Sequence, residues 1–308
     1  MTRADRLRGG LLGLLVGDAL GVPYEFHDPA NLPPREELEF YPPLDFRRAH
    51  IGTPPGTWSD DGAQALCLLA SLLERGHLDP DDLGQRFVRW YHQGYLAVDG
   101  RVFDIGIQTG EALRRMERGV PALEAGGADE QGNGNGSLMR VLPLALWHQG
   151  GDGALVEDAH RQSRVTHGHP RSQVCCALYG LWARCTLAEA ADPWAEAVAV
   201  LREIYRELPQ HAYELDARVL VDGRPMGSGY VVDCLRSARW AVGQGAYEQV
   251  VKAAISLGRD TDTTACVAGG LAGVRDGVAA IPERWRAALR GQELVQPLLE
   301  GLLARGDA

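Results

Sequence analysis

The sequence lacks any excess of positive charge. Its 31 lysines and arginines are outnumbered by 41 aspartates and glutamates, a net charge of −10 over 308 residues. That balance excludes non-specific binding to nucleic acid or anionic membrane, which needs a basic face. A phosphorylated substrate stays open, because bound metal ions can supply local positive charge. Long apolar runs are missing too. The strongest covers residues 7–21, is interrupted by Asp18 and has no small-residue cleavage site after it. It falls short of the roughly 20 residues of a spanning helix, so the expected location is the cytoplasm. The six cysteines (Cys67, Cys175, Cys176, Cys185, Cys234 and Cys266) form no C-x-x-C pair. They read as small buried hydrophobes of a reducing compartment, not as a disulfide scaffold or a thiolate metal site. Alternating strands, internal repeats and low-complexity tracts are absent as well.

Helix-period apolar patterns fill the chain instead, over 7–20, 63–74, 82–91, 108–118, 172–185, 194–208, 231–242, 247–257 and 263–274. They predict an all-α fold, a compact helical bundle of one domain over residues 1–308. Its ligand site would sit in a central crevice where helices face each other. Gly9, Gly13, Gly17 and Gly21 recur every fourth residue of the first helix. Each interior glycine costs about 1 kcal/mol relative to alanine, so such a ridge implies a very close backbone neighbour. The need for close packing explains Gly9 and Gly13, while Gly17-Asp18 at the helix end is also placed to serve a site. Three stretches read as long loops: 28–57 with seven prolines, the glycine-rich 119–137, and 209–229.

Two acidic motifs about 200 residues apart carry most of the chemistry. Ser59-Asp60-Asp61 lies in Gly56-Thr-Trp-Ser-Asp-Asp-Gly-Ala-Gln64, and Asp260-Thr-Asp262-Thr263 in Gly258-Arg-Asp-Thr-Asp-Thr-Thr264. Each opens an apolar helix, where one serine or acid suffices as a cap. Further carboxylates sharing a crevice repel one another unless a cation neutralises them. Four carboxylates and two hydroxyls form an all-oxygen set that balances two divalent cations and suits Mg²⁺, Mn²⁺ or Ca²⁺ over zinc. Brought together, the motifs would make a two-metal hydrolytic centre. Gly132-Asn-Gly-Asn-Gly-Ser-Leu-Met-Arg140 leads into another helix and offers backbone N–H groups to an anion. It has no βαβ context for a dinucleotide fingerprint. Thr166-His-Gly-His-Pro170 separates two helices. Its His167 reads either as a turn residue or as a phosphate or metal partner, and His169 more simply as turn. Glu25 opens the proline-rich loop, a place that admits a catalytic or metal-gating role.

In this order, these segments resemble the ADP-ribosylglycohydrolase family. The resemblance rests on Gly17-Asp-Ala-Leu-Gly-Val-Pro-Tyr-Glu25, Thr57-Trp-Ser-Asp-Asp61, Gly134-Asn-Gly-Ser-Leu-Met-Arg140, Thr166-His167 and Gly258-Arg-Asp-Thr-Asp-Thr263. It implies an all-α protein holding two divalent cations, usually Mg²⁺ or Mn²⁺. The implied activity is hydrolysis of the C1″ glycosidic bond between ADP-ribose and an acceptor, which reverses ADP-ribosylation. The implied metal ligands are Ser59, Asp60, Asp61, Asp260, Asp262 and Thr263, with Glu25, Asp60 and Asp61 as catalytic carboxylates. The implied substrate-binding residues are Asn135, Gly136, Ser137, Leu138, Met139, His167, Gly229 and Tyr230. Partners would be ADP-ribose and ADP-ribosylated substrates, with neither nucleic acid nor membrane. Gly62 departs from the threonine that many members carry after the paired acids. Acceptors within the family range over arginine, serine, poly(ADP-ribose) and small molecules. Some members are non-enzymatic, so a non-catalytic ADP-ribose-binding protein is the alternative. Two other all-α metal enzymes fit less well: an isoprenoid synthase needs Asp-Asp-x-x-Asp, and a phosphohydrolase uses His-Asp ligand pairs, whereas His27-Asp28 lies in the proline-rich loop.

Overall fold

The computed structural model describes residues 1–306. The helices are α1 (Arg3–Gly21), α2 (Asp60–Arg75), α3 (Pro80–Gln93), α4 (Ile107–Glu117), α5 (Ala122–Ala125), α6 (Leu142–Trp147), α7 (Asp152–Arg164) and α8 (Pro170–Leu187). They continue with α9 (Pro193–Ile204), α10 (Pro209–Glu214), α11 (Val231–Val242), α12 (Tyr247–Ile255), α13 (Thr261–Asp276), α14 (Glu283–Ala288) and α15 (Gln292–Gly306). Among the described residues extended pairing is confined to isolated bridges, Gly127 with His167 and Gly134 with Tyr230. The expected all-α class is what the chain adopts. All six cysteines are buried and free.

The glycine ridge of α1 sets the architecture. Gly9 packs on Gly273, Gly13 on Gly269, Gly17 on Ala265 and Gly21 on Asp262, so α1 and α13 run antiparallel with backbones in contact. A Cβ on Gly17 would stand 2.1 Å from the Ala265 carbonyl oxygen, and one on Gly273 2.0 Å from that of Gly9. All four glycines of the ridge are therefore needed for packing, not the first two alone. Two buried tyrosines brace the pair from outside: Tyr247 donates to Gly13 O and Tyr179 to Val267 O, each at 2.8 Å. One apolar core runs from Leu7 to Leu302, with α8 buried along nearly its whole length.

This pairing places the C-terminal end of α1 beside the N-terminal end of α13, and α2 starts at the same spot. The Asp18 carboxylate accepts from the backbone N–H of Ser59 at 2.9 Å and of Gly62 at 2.7 Å, fastening the first turn of α2 to α1. The long loops are partly ordered. Residues 119–137 include α5, and 209–229 begins with α10 and a π-helical turn, Leu215–Val219. Tertiary pairing explains the second difference: Glu214, buried on α10, takes Arg171 Nε at 2.7 Å.

Candidate active site

Seven carboxylates gather where these helix ends meet: Asp18, Glu25, Asp60, Asp61, Asp104, Asp260 and Asp262. Ligand atoms of Asp18, Asp61 and Asp262 all lie within 4.8 Å of one another, as do those of Glu25, Asp260 and Asp262. Thr263 Oγ1 stands 3.2 Å from both Asp61 oxygens, and Ser59 Oγ stands 3.2 Å from Asp61 Oδ2. Among the described residues none of the seven pairs with a lysine or arginine, and the one basic partner is His50 on Glu25. Asp262 Oδ2 is buried with no hydrogen-bond partner at all.

Such a cluster cannot hold seven full charges. Burial, reinforced by the neighbouring carboxylates, pushes Glu25 up to about 11. Burial raises Asp18 to about 7 and Asp104 to about 6. It lifts Asp60, Asp61 and Asp262 well above the ordinary carboxylate range, and Asp260 upward despite the donors facing it. A metal-ion site accounts for this arrangement: oxygen donors only, an orphaned buried oxygen and uncompensated negative charge. The residues therefore fit divalent cations.

Four members of the cluster, Glu25, Asp60, Asp104 and Asp260, line a cavity of about 410 Å³, a volume in the ordinary range for a ligand site. The glycine-rich loop lines the same cavity through Gly134, Asn135 and Gly136. Gly134 N–H donates to Gln108 Oε1 at 3.0 Å, and Asn135 N–H donates to Gly229 O at 3.0 Å. Gly136 lines the cavity, and its N–H has no acceptor among the described residues. Gly136 has to be glycine because a Cβ there would meet the His167 ring at 2.9 Å. His167 lines the cavity, and Nδ1 lies 2.7 Å from Thr166 Oγ1. Burial, aided by Arg140, pushes its pKa down to about 3, so the ring is neutral. His169 instead caps α8, its Nδ1 accepting from Arg171 N–H at 3.1 Å.

A family model described as ADP-ribosylglycohydrolase matches residues 1–308. The chain belongs to the ADP-ribosylglycohydrolase family. It is 33% identical over 306 residues to an ADP-ribosylarginine hydrolase, Tri1, of Pseudomonas putida (strain GB-1), an alignment covering 98% of this chain and 78% of that protein. It is 28% identical to the ADP-ribosyl-[dinitrogen reductase] glycohydrolase of Rhodospirillum rubrum, covering 92% and 90%. A solved structure titled as an ADP-ribosylglycohydrolase-related protein complex superposes with a TM-score of 0.77 at 35% identity, covering 98% of each chain. Membership makes the chain an ADP-ribosylhydrolase, a glycosidase.

Within this ADP-ribosylglycohydrolase the expected site residues separate by depth. Glu25, Asp60, Asp260 and Thr263 line the cavity with Asn135, Gly136, Met139, His167 and Gly229. Asp61, Asp262 and Ser59 lie beneath that surface. Ser137 and Leu138 are fully buried behind the loop, where Ser137 Oγ accepts from Ser163 Oγ at 2.9 Å. Tyr230 is half-exposed outside the cavity, and its backbone pairs with Gly134. Four residues outside the motif assignments also shape the site. Asp104 and His50 had no signal beyond their residue type. Gln64 donates to Asp60 Oδ2 at 3.0 Å, and the buried Arg140 donates to Gln64 Oε1 at 2.9 Å. Both stand inside the quoted motifs, so their presence was legible although their pairing was not. A threonine at position 62 would require Leu15 and Trp58 to shift, since even a Cβ would come within 2.8 Å of both side chains. Among the described residues no helix is long and apolar enough to cross a membrane.

Proposed function

We propose that the chain works as one unit over residues 1–308 to hydrolyse the C1″ glycosidic bond between ADP-ribose and an acceptor. It would reverse ADP-ribosylation in the cytoplasm. The observation that carries this reading is that carboxylates of the cluster and the glycine-rich loop, with the Gly136 N–H that has no acceptor among the described residues, line one cavity. A diphosphate fits the second and a ribose diol the first. Asp60, Asp61, Asp260 and Asp262, with the Ser59 and Thr263 hydroxyls, would hold two divalent cations, Mg²⁺ or Mn²⁺ on donor chemistry. When bound, those cations would lower the pKa of a water and orient the ribose.

The chain's own residues divide the remaining tasks. The Gly136 N–H binds the anion, and neutral His167 stands beside it to hydrogen-bond a ligand. Asn135 anchors that loop to Asp260. Glu25 and Asp60 face the cavity, whereas Asp61 is wholly buried behind it, so proton transfer at the scissile bond falls to Glu25 or Asp60. The transition state is oxocarbenium-like, as in other glycoside hydrolyses, and developing positive charge at C1″ suits a wall of carboxylates.

The test is release of free ADP-ribose from arginine-, serine- and poly-ADP-ribosylated substrates and a small α-linked conjugate, with Mg²⁺, Mn²⁺ or EDTA. Metal-dependent release from one class supports the reading and names the acceptor. ADP-ribose binding without release from any of them points to the non-catalytic binding alternative.

A further inference from the structure

Glu25 is the one member of the acidic cluster that holds a basic side chain. His50 Nε2 lies 2.5 Å from Glu25 Oε2. The strongest charges acting on Glu25, those of Asp104, Asp260, Asp60 and Asp18, all disfavour its ionised form. Like charges favour no inward orientation of a loop glutamate, so its direction depends on the hydrogen bonds that hold it. Glu25 nevertheless points inward, only 4% exposed, and lines the cavity.

The His50 ring is itself held. It packs between Phe26 and Phe103, with ring centroids 5.5 and 5.1 Å away. Its backbone has φ 47°, a left-handed conformation that costs a non-glycine residue about 1 kcal/mol or more and persists only where surroundings impose it. Those surroundings are visible. Ala49 N–H donates to Pro23 O at 2.9 Å, Thr53 N–H donates to His50 O at 2.9 Å, and Arg101 Nη1 donates to Gly52 O at 2.7 Å. Residues 49–53 are thus tied to the segment just before Glu25 on one side and to the Arg101 arm on the other.

We propose that His50 is a positioning residue that fixes the Glu25 carboxylate toward the reacting centre. This rests on the reading of Glu25 as a catalytic group. The geometry suits the role: a ring packed against two phenylalanines, a left-handed backbone that aims it, and a hydrogen bond that ends on Glu25 Oε2. Among the described residues His50 has no hydrogen bond to the glycine-rich loop and does not line the cavity, so its expected effect is on the chemical step and not on ADP-ribose binding.

Two variants separate positioning from folding. His50→Phe keeps an aromatic ring in the slot between Phe26 and Phe103 and removes the hydrogen bond. His50→Gln keeps a polar N–H of similar reach. Each is assayed in the metal-loaded enzyme on the substrate that the wild type cleaves, with melting temperature and Mn²⁺ stoichiometry measured alongside. His50→Phe is expected to lower kcat by about 10- to 100-fold with KM within about twofold, the scale of a misplaced catalytic group. His50→Gln should restore most of kcat. In a Glu25→Gln background, His50→Phe should cost nothing further, because the two act as one unit. Unchanged kcat in His50→Phe, an equal fall in His50→Gln, or a full additional loss in the Glu25→Gln background would overturn the proposal. If the wild type releases no ADP-ribose, the functional reading fails first, and that failure is distinct from these.

Discussion

Asn135 Nδ2 donates to Asp260 Oδ2 at 2.9 Å, joining positions 125 residues apart in sequence. The bond couples the glycine-rich loop to the carboxylate cluster, so under the proposed function it would register the diphosphate and ribose ends of a ligand against each other. Asn135→Ala removes the tie and leaves a buried carboxylate short of a donor. ADP-ribose affinity should fall about tenfold, corresponding to about 1.4 kcal/mol, as titration calorimetry would show. An unchanged affinity would mean that the two halves of the cavity are set independently.

The cluster predicts a pH dependence that metal abolishes. Asp18 and Asp104 rise in the folded protein to about 7 and about 6, and Glu25 to about 11, all by burial first. The folded state then binds more protons than the unfolded one, so stability falls as pH rises. The loss begins above the unfolded carboxylate values near 4 and continues through the folded ones. In EDTA the melting temperature should drop between pH 5 and pH 8, and saturating Mg²⁺ or Mn²⁺ should remove most of that drop. A flat profile in EDTA would contradict the uncompensated cluster.

Gln64 links Arg140 to Asp60, accepting from one and donating to the other. Gln64→Met keeps the size and removes both bonds. Support of this kind typically carries about 10- to 100-fold of metal affinity or activity. Mn²⁺ affinity and kcat should therefore fall together by that order. Normal Mn²⁺ affinity would show that Asp60 needs no second partner.

Local packing predicts opposite outcomes for two helix glycines, one in the α1–α13 contact and one in α8. Gly17→Ala forces a methyl to within 2.1 Å of the Ala265 carbonyl oxygen. It should destabilise by about 1–3 kcal/mol or more, by overpacking. Gly180, inside α8, has its nearest neighbours at 3.9 Å, all on the Leu155 side chain. Gly180→Ala should stabilise by about 0.5–1 kcal/mol through helix propensity. Chemical denaturation of both variants in EDTA reads the difference without the metal contribution.

Much of this protein is local and therefore readable along the chain. Apolar periodicity marks the long helices, and that of 231–242 coincides with α11 residue for residue. The ridge of Gly9, Gly13, Gly17 and Gly21 announces a close helix partner, because no other reason justifies four glycines in one helix. The paired acids at two helix starts announce a cation, because capping needs only one of them. What the chain alone did not determine is which helix ends meet. The backbone contact of α1 with α13 decides it, by bringing Asp18 under the first turn of α2 and Asp260 against Asn135. Depth follows from the same packing: Asp61 and Asp262 sink beneath the cavity while Asp60 and Asp260 reach it, although each pair is near in sequence. Asp104 and His50 join the site through loops whose shape depends on left-handed backbone and aromatic contacts, and no periodicity encodes them. Local patterns follow from the energetics of single helices. Convergence follows from long-range packing, which only the folded chain expresses.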